Sequence, residues 1–443
     1  MRKMIFPAVL VISFLVLTIY LTADKSGDNQ SKENGPVVAA YYDSWSKHIP
    51  GVGERPKFMP DRIDPTLLTD LYFAFVIFGF LTDSIEPGHP HLTGDFTMQP
   101  MESNEQSALY PQIQALKQRN PRLRTSLSVG GWGFNDLNNA GLGKYTYRLF
   151  SRMVSDPKNR SQFISSAIGY ARKHGFDGID IDWEYPGDLT RGGTPEDFEY
   201  FLVFLKEFYT ACKAENPALL LTYAAPSSVP LGVPEYYRNN PSAYFQWLAQ
   251  CAQYLDWINA MCYDYHGPWN MPKFTGANAP LHRDTFPDSE RFIDMTLKNY
   301  IDNGVPPEKI VLGMPAYGRS FGGVYLTDAE HGPGRPFLRA GNPGPATQGP
   351  GVLFYYEIAD MISQKKLTFG TDSTTSTAYA YDIPTEQWVS FDTPETIALK
   401  VQVIKKNGLL GGMFWSVNSD EYKDEKYPLI RKAYELLKTY KQE

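Results

Sequence analysis

The chain has little cysteine, with 3 thiols among 443 residues, at Cys212, Cys251 and Cys262. So few thiols exclude a fold held together by several disulfides, and their spacing matches no zinc knuckle. One disulfide could form between two of them, which would leave the third thiol free. Because a free cysteine behaves as a small apolar side chain, the favoured expectation is three buried thiols.

Runs of positive charge are also absent. The 42 Lys and Arg residues are outnumbered by 49 Asp and Glu residues, which gives a net charge of −7. A mildly acidic chain without a basic run argues against nucleic acid as a partner. The 7 His residues have no spacing typical of metal ligands, and no Gly-Lys-Ser/Thr motif accompanies the glycine-rich turns. We therefore expect no metal and no cofactor.

Only one apolar run is long enough to cross a membrane. Met4–Ala23 carries no charge, and a helix of that length spans about 30 Å of hydrocarbon. Residues 1–23 are therefore predicted to be a signal peptide or an N-terminal membrane anchor, since Leu21-Thr22-Ala23 is a poor cleavage site. The polar residues 24–35 are predicted to be a flexible linker. We expect export, with the folded part secreted or held at a membrane through residues 4–23.

Beyond this leader, short apolar segments alternate with amphipathic ones. Eight segments are predicted to be strands: Val37–Tyr42, Leu71–Phe78, Leu123–Val129, Gly178–Glu184, Leu219–Ala224, Trp257–Tyr263, Lys309–Met314 and Leu409–Trp415. Seven segments are predicted to be helices: Ser107–Arg119, Asn159–His174, Pro195–Glu215, Tyr244–Tyr254, Ser289–Asn303, Pro394–Asn407 and Pro428–Tyr440. This alternation indicates an α/β fold, a (β/α)8 TIM barrel. A doubly wound sheet is the alternative, but no GxGxxG motif follows the first strand.

Two predicted helices have marked starts. Thr194-Pro195-Glu196-Asp197 and Thr393-Pro394-Glu395 each place a hydroxyl before a proline. A threonine at the N-cap, a proline in the first turn and acids near the positive end of the helix dipole are typical of helix starts.

The alternation is interrupted after the seventh strand. Residues 320–392 are rich in glycine–proline turns and contain a predicted helix at Val352–Lys365 and a predicted strand at Ala378–Tyr381. The stretch is too long for a loop and too short for an independent enzyme, so we predict a small α+β insertion domain. The barrel would then comprise residues 36–319 and 393–443. The insertion would form one wall of a groove at the carboxyl ends of the barrel strands.

The fourth predicted strand is rich in acids. Strand side chains alternate, so Asp180, Asp182 and Glu184 share one face while the apolar residues between them share the other. In a barrel the apolar face packs under the helices, so three carboxyl groups about 6.6 Å apart point inward. Asp177 has the opposite parity and is predicted to be structural. Charges this close cannot all ionise, so at least one acid should hold a proton near neutral pH.

Glu184 comes last, at the end of the strand where barrel enzymes carry their catalytic groups. A carboxyl group with a raised pKa can act there as a general acid, and glycosidic oxygen is a common acceptor of its proton. Asp182 lies behind Glu184 on the same face. That position suits tuning the acid and holding a substrate group, and it suits direct attack poorly. The nucleophile would then belong to the substrate itself, as in substrate-assisted glycosidases.

The acidic segment Asp177-Gly-Ile-Asp180-Ile-Asp182-Trp-Glu184 resembles the DxxDxDxE signature of family 18 glycoside hydrolases, the chitinase family. Other segments resemble motifs of that family, in the same order along the chain: Ser128-Val-Gly-Gly131-Trp132, Met261-Cys-Tyr263-Asp264, Tyr317-Gly-Arg319 and Gly412-Met-Phe-Trp415. Gly351-Val-Leu-Phe-Tyr355 and Ala378-Tyr-Ala-Tyr381 resemble its chitinase insertion domain. The resemblance extends from about Pro36 to the C-terminus, and it implies the same barrel with the same insertion.

The resemblance also implies a role for each matching residue. Glu184 would be the acid/base that protonates the leaving sugar oxygen. Asp182 would turn between Asp180 and the N-acetyl group of the substrate, whose carbonyl oxygen attacks C1 to give an oxazolinium ion. Tyr263 would donate a hydrogen bond to that oxygen. The residues expected to bind sugars are Tyr41, Phe75, Trp132, Met261, Asp264, Trp269, Arg319 and Trp415. The residues expected to give structural support are Ser128 and Asp177.

Three functions stay open at this point. The first is a chitinase acting on β-1,4-linked N-acetylglucosamine chains, favoured because the insertion deepens the groove. The second is an endo-N-acetylglucosaminidase acting on peptidoglycan or N-glycans by the same mechanism. The third is a sugar-binding protein without activity, disfavoured because Glu184 is present. The chain departs from the family in two places. Ala40 stands where glycine is usual, and Ser416–Asp420 follows Trp415 where the family often has an acid sooner after the tryptophan. We expect a monomer whose partner is chitin or another glycan containing N-acetylglucosamine.

Overall fold

The computed structural model describes residues 35–81, 91–92, 95–139, 142–284 and 290–440. The predicted leader at residues 1–23, and the predicted linker except for Gly35, lie outside these ranges. Within the described ranges, none of the helices combines the length and apolarity that a membrane-spanning segment needs.

Eight parallel strands form a closed barrel, which confirms the predicted fold class. In chain order they are Val37–Asp43, Asp70–Phe78, Arg124–Gly130, Gly178–Asp182, Leu220–Pro226, Trp257–Met261, Ile310–Pro315 and Gly411–Trp415. Ala39 of the first strand lies opposite both Asp70 of the second and Met413 of the eighth, which closes the ring. A short strand, Met98–Pro100, adds to the second strand in antiparallel pairing, and Phe80–Leu81 pairs with His91–Leu92.

Helices surround this barrel, and each predicted helix is present with slightly different ends. They are Glu105–Ala108, Tyr110–Arg119, Gly143–Thr146, Leu149–Ser155, Pro157–Lys173, Asp197–Ala214, Glu235–Asn239, Pro241–Ala252, Ile293–Asp302, Pro394–Lys406 and Pro428–Leu437. The main apolar core lies between the strands and these helices. The three cysteines are free and buried, as the favoured expectation had it.

The alternation predicted for the fourth strand is confirmed by its outward face. Ile179, Ile181 and Trp183 are fully buried in the main core. The Trp183 ring stacks on Phe150, with centroids 5.1 Å apart. The acidic residues are therefore left to face the interior of the barrel.

One of the two predicted helix starts is confirmed. The hydroxyl of Thr393 accepts a hydrogen bond from the backbone of Thr396, as an N-cap does. The prediction for Thr194 is wrong, because the helix begins at Asp197 with no side-chain cap. The Asp197 carboxylate accepts from the backbone N–H of Thr194 at 2.7 Å instead, so the acid rather than the hydroxyl holds this turn.

A second, antiparallel sheet stands after the seventh barrel strand and forms the predicted insertion. Its strands are Tyr317–Gly322, Arg339–Ala340, Val352–Phe354, Thr368–Asp372, Thr377–Asp382 and Gln387–Phe391, with one helix at Tyr355–Ser363. The predicted helix at Val352–Lys365 is therefore too long. Its first residues pair with Tyr317–Gly322, and the Glu357 carboxylate accepts from the backbone N–H of Phe354, which fixes the helix start. The first insertion strand crosses the predicted boundary at residue 320.

Candidate active site

Asp180 lies deepest of the three interior acids and accepts four hydrogen bonds. The hydroxyls of Tyr41 and Ser128 donate to its Oδ2 at 2.9 and 2.8 Å. The Thr222 hydroxyl and the Asn259 amide donate to its Oδ1 at 2.6 and 3.2 Å. Burial raises the pKa of Asp180 to about 6, and these hydrogen bonds oppose that rise. All four donors are neutral, so Asp180 is held in place without a counter-ion among its hydrogen-bond partners.

Asp182, at the end of the fourth strand, has hydrogen-bonding capacity to spare. It is buried, and its Oδ1 has no hydrogen-bond partner among the described residues. Burial raises the pKa of Asp182 well above its usual range, and the charges of Glu184 and Asp180 raise it further. A buried polar oxygen without a partner is costly, so a group that completes its hydrogen bonding would be bound favourably there.

Glu184 follows the strand and lies at the open end of the barrel. Its side chain is buried, and the Tyr185 hydroxyl donates to its Oε2 at 3.0 Å. Burial raises the pKa of Glu184 to about 7; the charge of Arg191 opposes this rise, and that of Asp264 adds to it. The expected protonation near neutral pH agrees with this value. The main cause is burial, however, and not repulsion between stacked acids.

Tyr263 and Met261 come at the end of the sixth strand, facing the acids. Tyr263 is buried, and its ring centroid lies 6.2 Å from that of Tyr317. Burial raises the pKa of Tyr263 well above its usual value, so its hydroxyl keeps its proton and can donate it in a hydrogen bond. Met261 is half-buried and packs against the apolar cluster inside the barrel.

Asp264 and Arg319 pair with each other across the edge of the site. Arg319 donates from Nε and Nη2 to the two carboxylate oxygens of Asp264, each at 2.6 Å. The Tyr317 hydroxyl also donates to Asp264, at 2.7 Å. Two insertion residues thus hold one barrel loop residue. The predicted sugar contacts of Asp264 and Arg319 would come from an ion pair already formed.

Aromatic rings cover the floor of the barrel opening around Trp415. The Phe75 ring stacks on Trp415 with centroids 5.6 Å apart, and Trp45 lies 5.9 Å from Phe75. Tyr41 is also close, with its centroid 5.3 Å from Trp415. However, Tyr41 is 1% exposed and its hydroxyl serves Asp180, so the structure gives it a contact with the acid rather than an open face.

Trp132 and Trp269 are the two exposed indoles of the predicted site. They are 54% and 49% exposed. Each carries an arginine over its ring: Arg191 lies 3.5 Å from the centroid of Trp132, and Arg319 lies 4.8 Å from that of Trp269. Both rings are therefore held by a cation while keeping much of their surface open to a ligand.

The glycines before Trp132 allow a close approach that other residues would block. Gly130 and Gly131 have φ angles of 112° and 85°. A Cβ on Gly130 would lie 2.4 Å from the Asp182 carbonyl oxygen, and one on Gly131 would lie 2.4 Å from the Phe75 ring. This packing brings the third strand against both the acids and the aromatic floor.

Asp177 lies apart from the acid cluster. Its carboxylate accepts from the backbone N–H of Thr125 at 2.7 Å and forms an ion pair with Lys117 at 2.6 Å. These contacts join the third and fourth strands to a surrounding helix.

Several residues of the site were not found from the sequence. Thr222 and Asn259 donate to Asp180, and each is a polar residue inside an apolar strand. That exception to the pattern was a usable signal. Arg191 and Trp45 lie in segments between strands, and no periodicity marks them. Their positions depend on how the loops close over the barrel.

Known proteins are similar to this chain over most of its length. The sequence model of Glycosyl hydrolases family 18 matches residues 37–420. The chain belongs to this family. Mouse Chitotriosidase-1 is 33% identical to it over 407 residues, which cover 89% of this chain and 76% of the relative.

Two solved structures have a fold similar to that of this chain. The Group IV chitinase of Ostrinia furnacalis, in complex with allosamidin, has a TM-score of 0.75 and 29% identity, covering 91% of this chain and 99% of that one. Human YKL-39, a pseudo-chitinase with retained chitooligosaccharide binding, has a TM-score of 0.73 and 29% identity, covering 91% and 100%. The same fold is thus found in a chitinase and in a pseudo-chitinase, so catalysis by this chain depends on its own acids.

Proposed function

We propose that the protein is a chitinase that hydrolyses β-1,4 bonds in chitin and N-acetylglucosamine oligomers with retention of configuration. One observation carries this proposal. Glu184 is a buried carboxyl group with a pKa raised to about 7, and it lies next to Asp182, whose Oδ1 has no hydrogen-bond partner among the described residues. A carboxyl group with that pKa is partly protonated at neutral pH, so it can give a proton in one step and take one back in the next.

The first step would be attack by the substrate's own acetamide group. Asp182 Oδ1 accepts the amide N–H, and the Tyr263 hydroxyl donates to the amide carbonyl oxygen, which faces C1. Glu184 gives its proton to the glycosidic oxygen as the C1–oxygen bond breaks. The carbonyl oxygen bonds to C1 in the same step, so the products are an oxazolinium ion and a sugar with a free hydroxyl.

The second step would return Glu184 to its starting state. Water attacks C1 on the face that the leaving sugar vacated, and the Glu184 carboxylate takes its proton. The bond between C1 and the acetamide oxygen breaks, and the N-acetyl group is restored. Two inversions at C1 give net retention. Asp182, turning between Asp180 and the amide, would hold the positive intermediate while Asp180 stays fixed by its four donors.

The aromatic surfaces would bind the sugar rings. Trp415 would contact the sugar at the cleavage site, with Phe75 beside it and Met261 at its edge. The exposed rings of Trp132 and Trp269 would stack against neighbouring sugars, because the flat face of a sugar packs well on an indole. The pair of Asp264 and Arg319 would hydrogen-bond hydroxyl groups between these surfaces. The retained chitooligosaccharide binding of human YKL-39 supports this type of ligand.

Chitin is favoured over peptidoglycan or N-glycans because the insertion extends the groove. Arg319 lies on the first insertion strand and over Trp269, so the wall and an exposed ring are joined. Such a wall suits a chain of several identical sugars.

Residues 1–23 are proposed to direct export, either as a cleaved leader or as a membrane anchor. The folded chain acts as a monomer, and its insertion begins with the strand Tyr317–Gly322 rather than at residue 320.

The test is Glu184→Gln with chitotetraose as substrate. The variant should bind the oligomer and lose turnover by about 10³-fold or more, because the amide cannot transfer a proton. Glu199→Gln, an exposed residue of the helix Asp197–Ala214, is the matched control and should keep full activity. Product anomers should be β early in the reaction. Faster cleavage of purified muropeptides or of a glycoprotein would favour the endo-N-acetylglucosaminidase, and equal cleavage of sugars without the N-acetyl group would contradict the mechanism.

A further inference from the structure

Arg191 is a buried arginine next to the catalytic acid. It ends a short helix, Leu189–Arg191, that the Asp188 carboxylate caps by accepting from the backbone of Thr190. Gly192 follows with a φ of 82°, and a Cβ there would lie 2.1 Å from the carbonyl oxygen of Tyr147. Asp188 and Gly192 thus restrain the backbone on both sides of Arg191.

The guanidinium group of Arg191 donates to two carbonyl oxygens. Its Nε donates to the carbonyl of Glu184 at 2.5 Å, and its Nη2 donates to the carbonyl of Trp132 at 2.6 Å. Its Cζ lies 3.5 Å from the centroid of the Trp132 ring. One side chain therefore fixes the backbone of the acid and both the backbone and the ring of an exposed indole.

Arg191 is in no ion pair with another described residue. Both of its described hydrogen bonds go to backbone carbonyls, and no carboxylate of the described residues forms an ion pair with it. Burying an arginine without an acidic partner is costly. The carboxyl groups that feel its charge are those of Asp182 and Glu184.

We infer that Arg191 is a positioning residue of this site. It holds the Glu184 and Trp132 segments in one arrangement. It also supplies a fixed positive charge beside Asp182 and Glu184, the two acids that act on the substrate in the proposed reaction. The inference rests on the proposed glycosidase function, and it adds a residue to it. The arginine links a sugar-stacking surface to the acid, because the Trp132 ring and the Glu184 backbone contact the same side chain.

Other charged groups act on Glu184 from the elements around it. Asp182 ends the strand that Glu184 follows, and Asp264 follows the sixth strand, where Arg319 pairs with it. Tyr185 donates to the Glu184 carboxylate. Among these groups Arg191 is the cation that lowers the pKa of both Asp182 and Glu184, against the rise that burial causes. Removing its charge should therefore raise both pKa values.

The experiment compares Arg191→Gln, Arg191→Lys and a control, Arg148→Gln. Arg148 also lies over an aromatic ring, that of Tyr147, but it is exposed. With chitotetraose, the pH profile of kcat/KM for Arg191→Gln should move upward by about 0.5 to 1 pH unit, and kcat should fall by about tenfold or more. Arg191→Lys should keep the profile of the wild type, since the charge stays, but not its kcat, since the two-pronged donor is lost. The control should match the wild type in both.

A second measurement does not need turnover. The folded pKa values of Asp182 and Glu184 are raised, so their contribution to stability is present at low pH and is lost as the pH rises through them. Arg191→Gln should therefore lower Tm more at about pH 8 than at about pH 5. An equal loss of Tm at both values, with an unmoved pH profile, would overturn the inference and leave Arg191 as a loop contact. If the wild type cleaves no oligomer, the proposed function fails, and the Tm difference still decides the role of Arg191.

Discussion

Arg319 of the insertion and Asp264 of the barrel are joined by two hydrogen bonds of 2.6 Å each. This contact ties the first insertion strand to the loop that follows the sixth strand. It also bears on the acid, because the negative charge of Asp264 raises the pKa of Glu184, whose value is about 7. The geometry of the wall and the titration of the acid are thus connected through one carboxylate.

Asp264→Asn should move the basic limb of the pH profile downward. In the wild type, kcat/KM should fall above about pH 7, where Glu184 loses its proton. The substitution removes a charge that raises this pKa and frees the Arg319 charge, which lowers it, so both changes act in the same direction. The loss of the ion pair should cost about 1–3 kcal/mol of stability, because Arg319 is left partly buried without an anionic partner. Asp302→Asn, in the surface pair with Lys298, is the control and should change neither quantity. A basic limb that stays in place would contradict this link.

Asp182→Asn should greatly lower kcat while leaving the fold intact. An asparagine can still contact the acetamide, but it cannot ionise to stabilise a positive intermediate, so kcat should fall by about 10²-fold or more. The acid limb of the pH profile should also change, because the titration of the Asp180 and Asp182 pair is removed. Rates measured across the acid range on chitotetraose check this. An acid limb identical to that of the wild type would count against a carboxylate relay.

Thr222→Val should destabilise the protein in a pH-dependent way. The Thr222 hydroxyl donates to Asp180 at 2.6 Å and lowers its pKa, which burial raises to about 6. Without this bond the pKa of Asp180 rises further. A group with a raised folded pKa loses its stabilising contribution as the pH increases, so the cost should be about 1–2 kcal/mol at about pH 8 and smaller at about pH 5. Urea unfolding at both pH values measures it. Thr210→Val, whose hydroxyl bonds only its own helix, should show no such difference.

Lys400→Met should strongly destabilise the end of the insertion. Lys400 and Asp392 form a fully buried ion pair where the insertion returns to the barrel, and the Thr396 hydroxyl also donates to Asp392 at 2.6 Å. Removing the lysine leaves a buried carboxylate without its cation, at a cost of about 3–5 kcal/mol. Thermal unfolding of Lys406→Met, an exposed lysine on the same helix, gives the baseline. Adding Asp392→Asn to Lys400→Met should recover part of the loss, and a failure to recover any of it would argue against the charge as the cause.

The sequence predicted most of the fold because the barrel has a strong pattern. Each of the eight strands is a short apolar run between polar turns, and the alternation at Ile179, Asp180 and Ile181 even indicates which face is inward. The errors lie where a local rule competes with tertiary contacts. Thr194 has the residues of a helix start, but the Asp197 carboxylate takes over that backbone. Val352–Phe354 continues the pattern of the next helix, yet it pairs with Tyr317–Gly322.

The acids of the site were predictable for the same reason, since they lie in a strand. Arg191 was not, because its place over Trp132 and against the Glu184 carbonyl depends on the closure of two loops that no spacing links. The pairing of Asp264 with Arg319 was also missed. Both residues were expected to reach for a sugar, and only the fold shows that they meet each other first.

The insertion leaves and rejoins the barrel through neighbouring antiparallel strands, with Arg319 opposite Ser390 and Gly322 opposite Gln387. These two strands form a stem, and the rest of the insertion lies between them in the chain. Under the proposed function, shortening or grafting the part beyond that stem should change how many sugar units the insertion can contact. Arg319 and Tyr317, at the base of the stem, would keep their hold on Asp264. The number of sugars that the insertion contacts could therefore change without a change in the groups that transfer the proton.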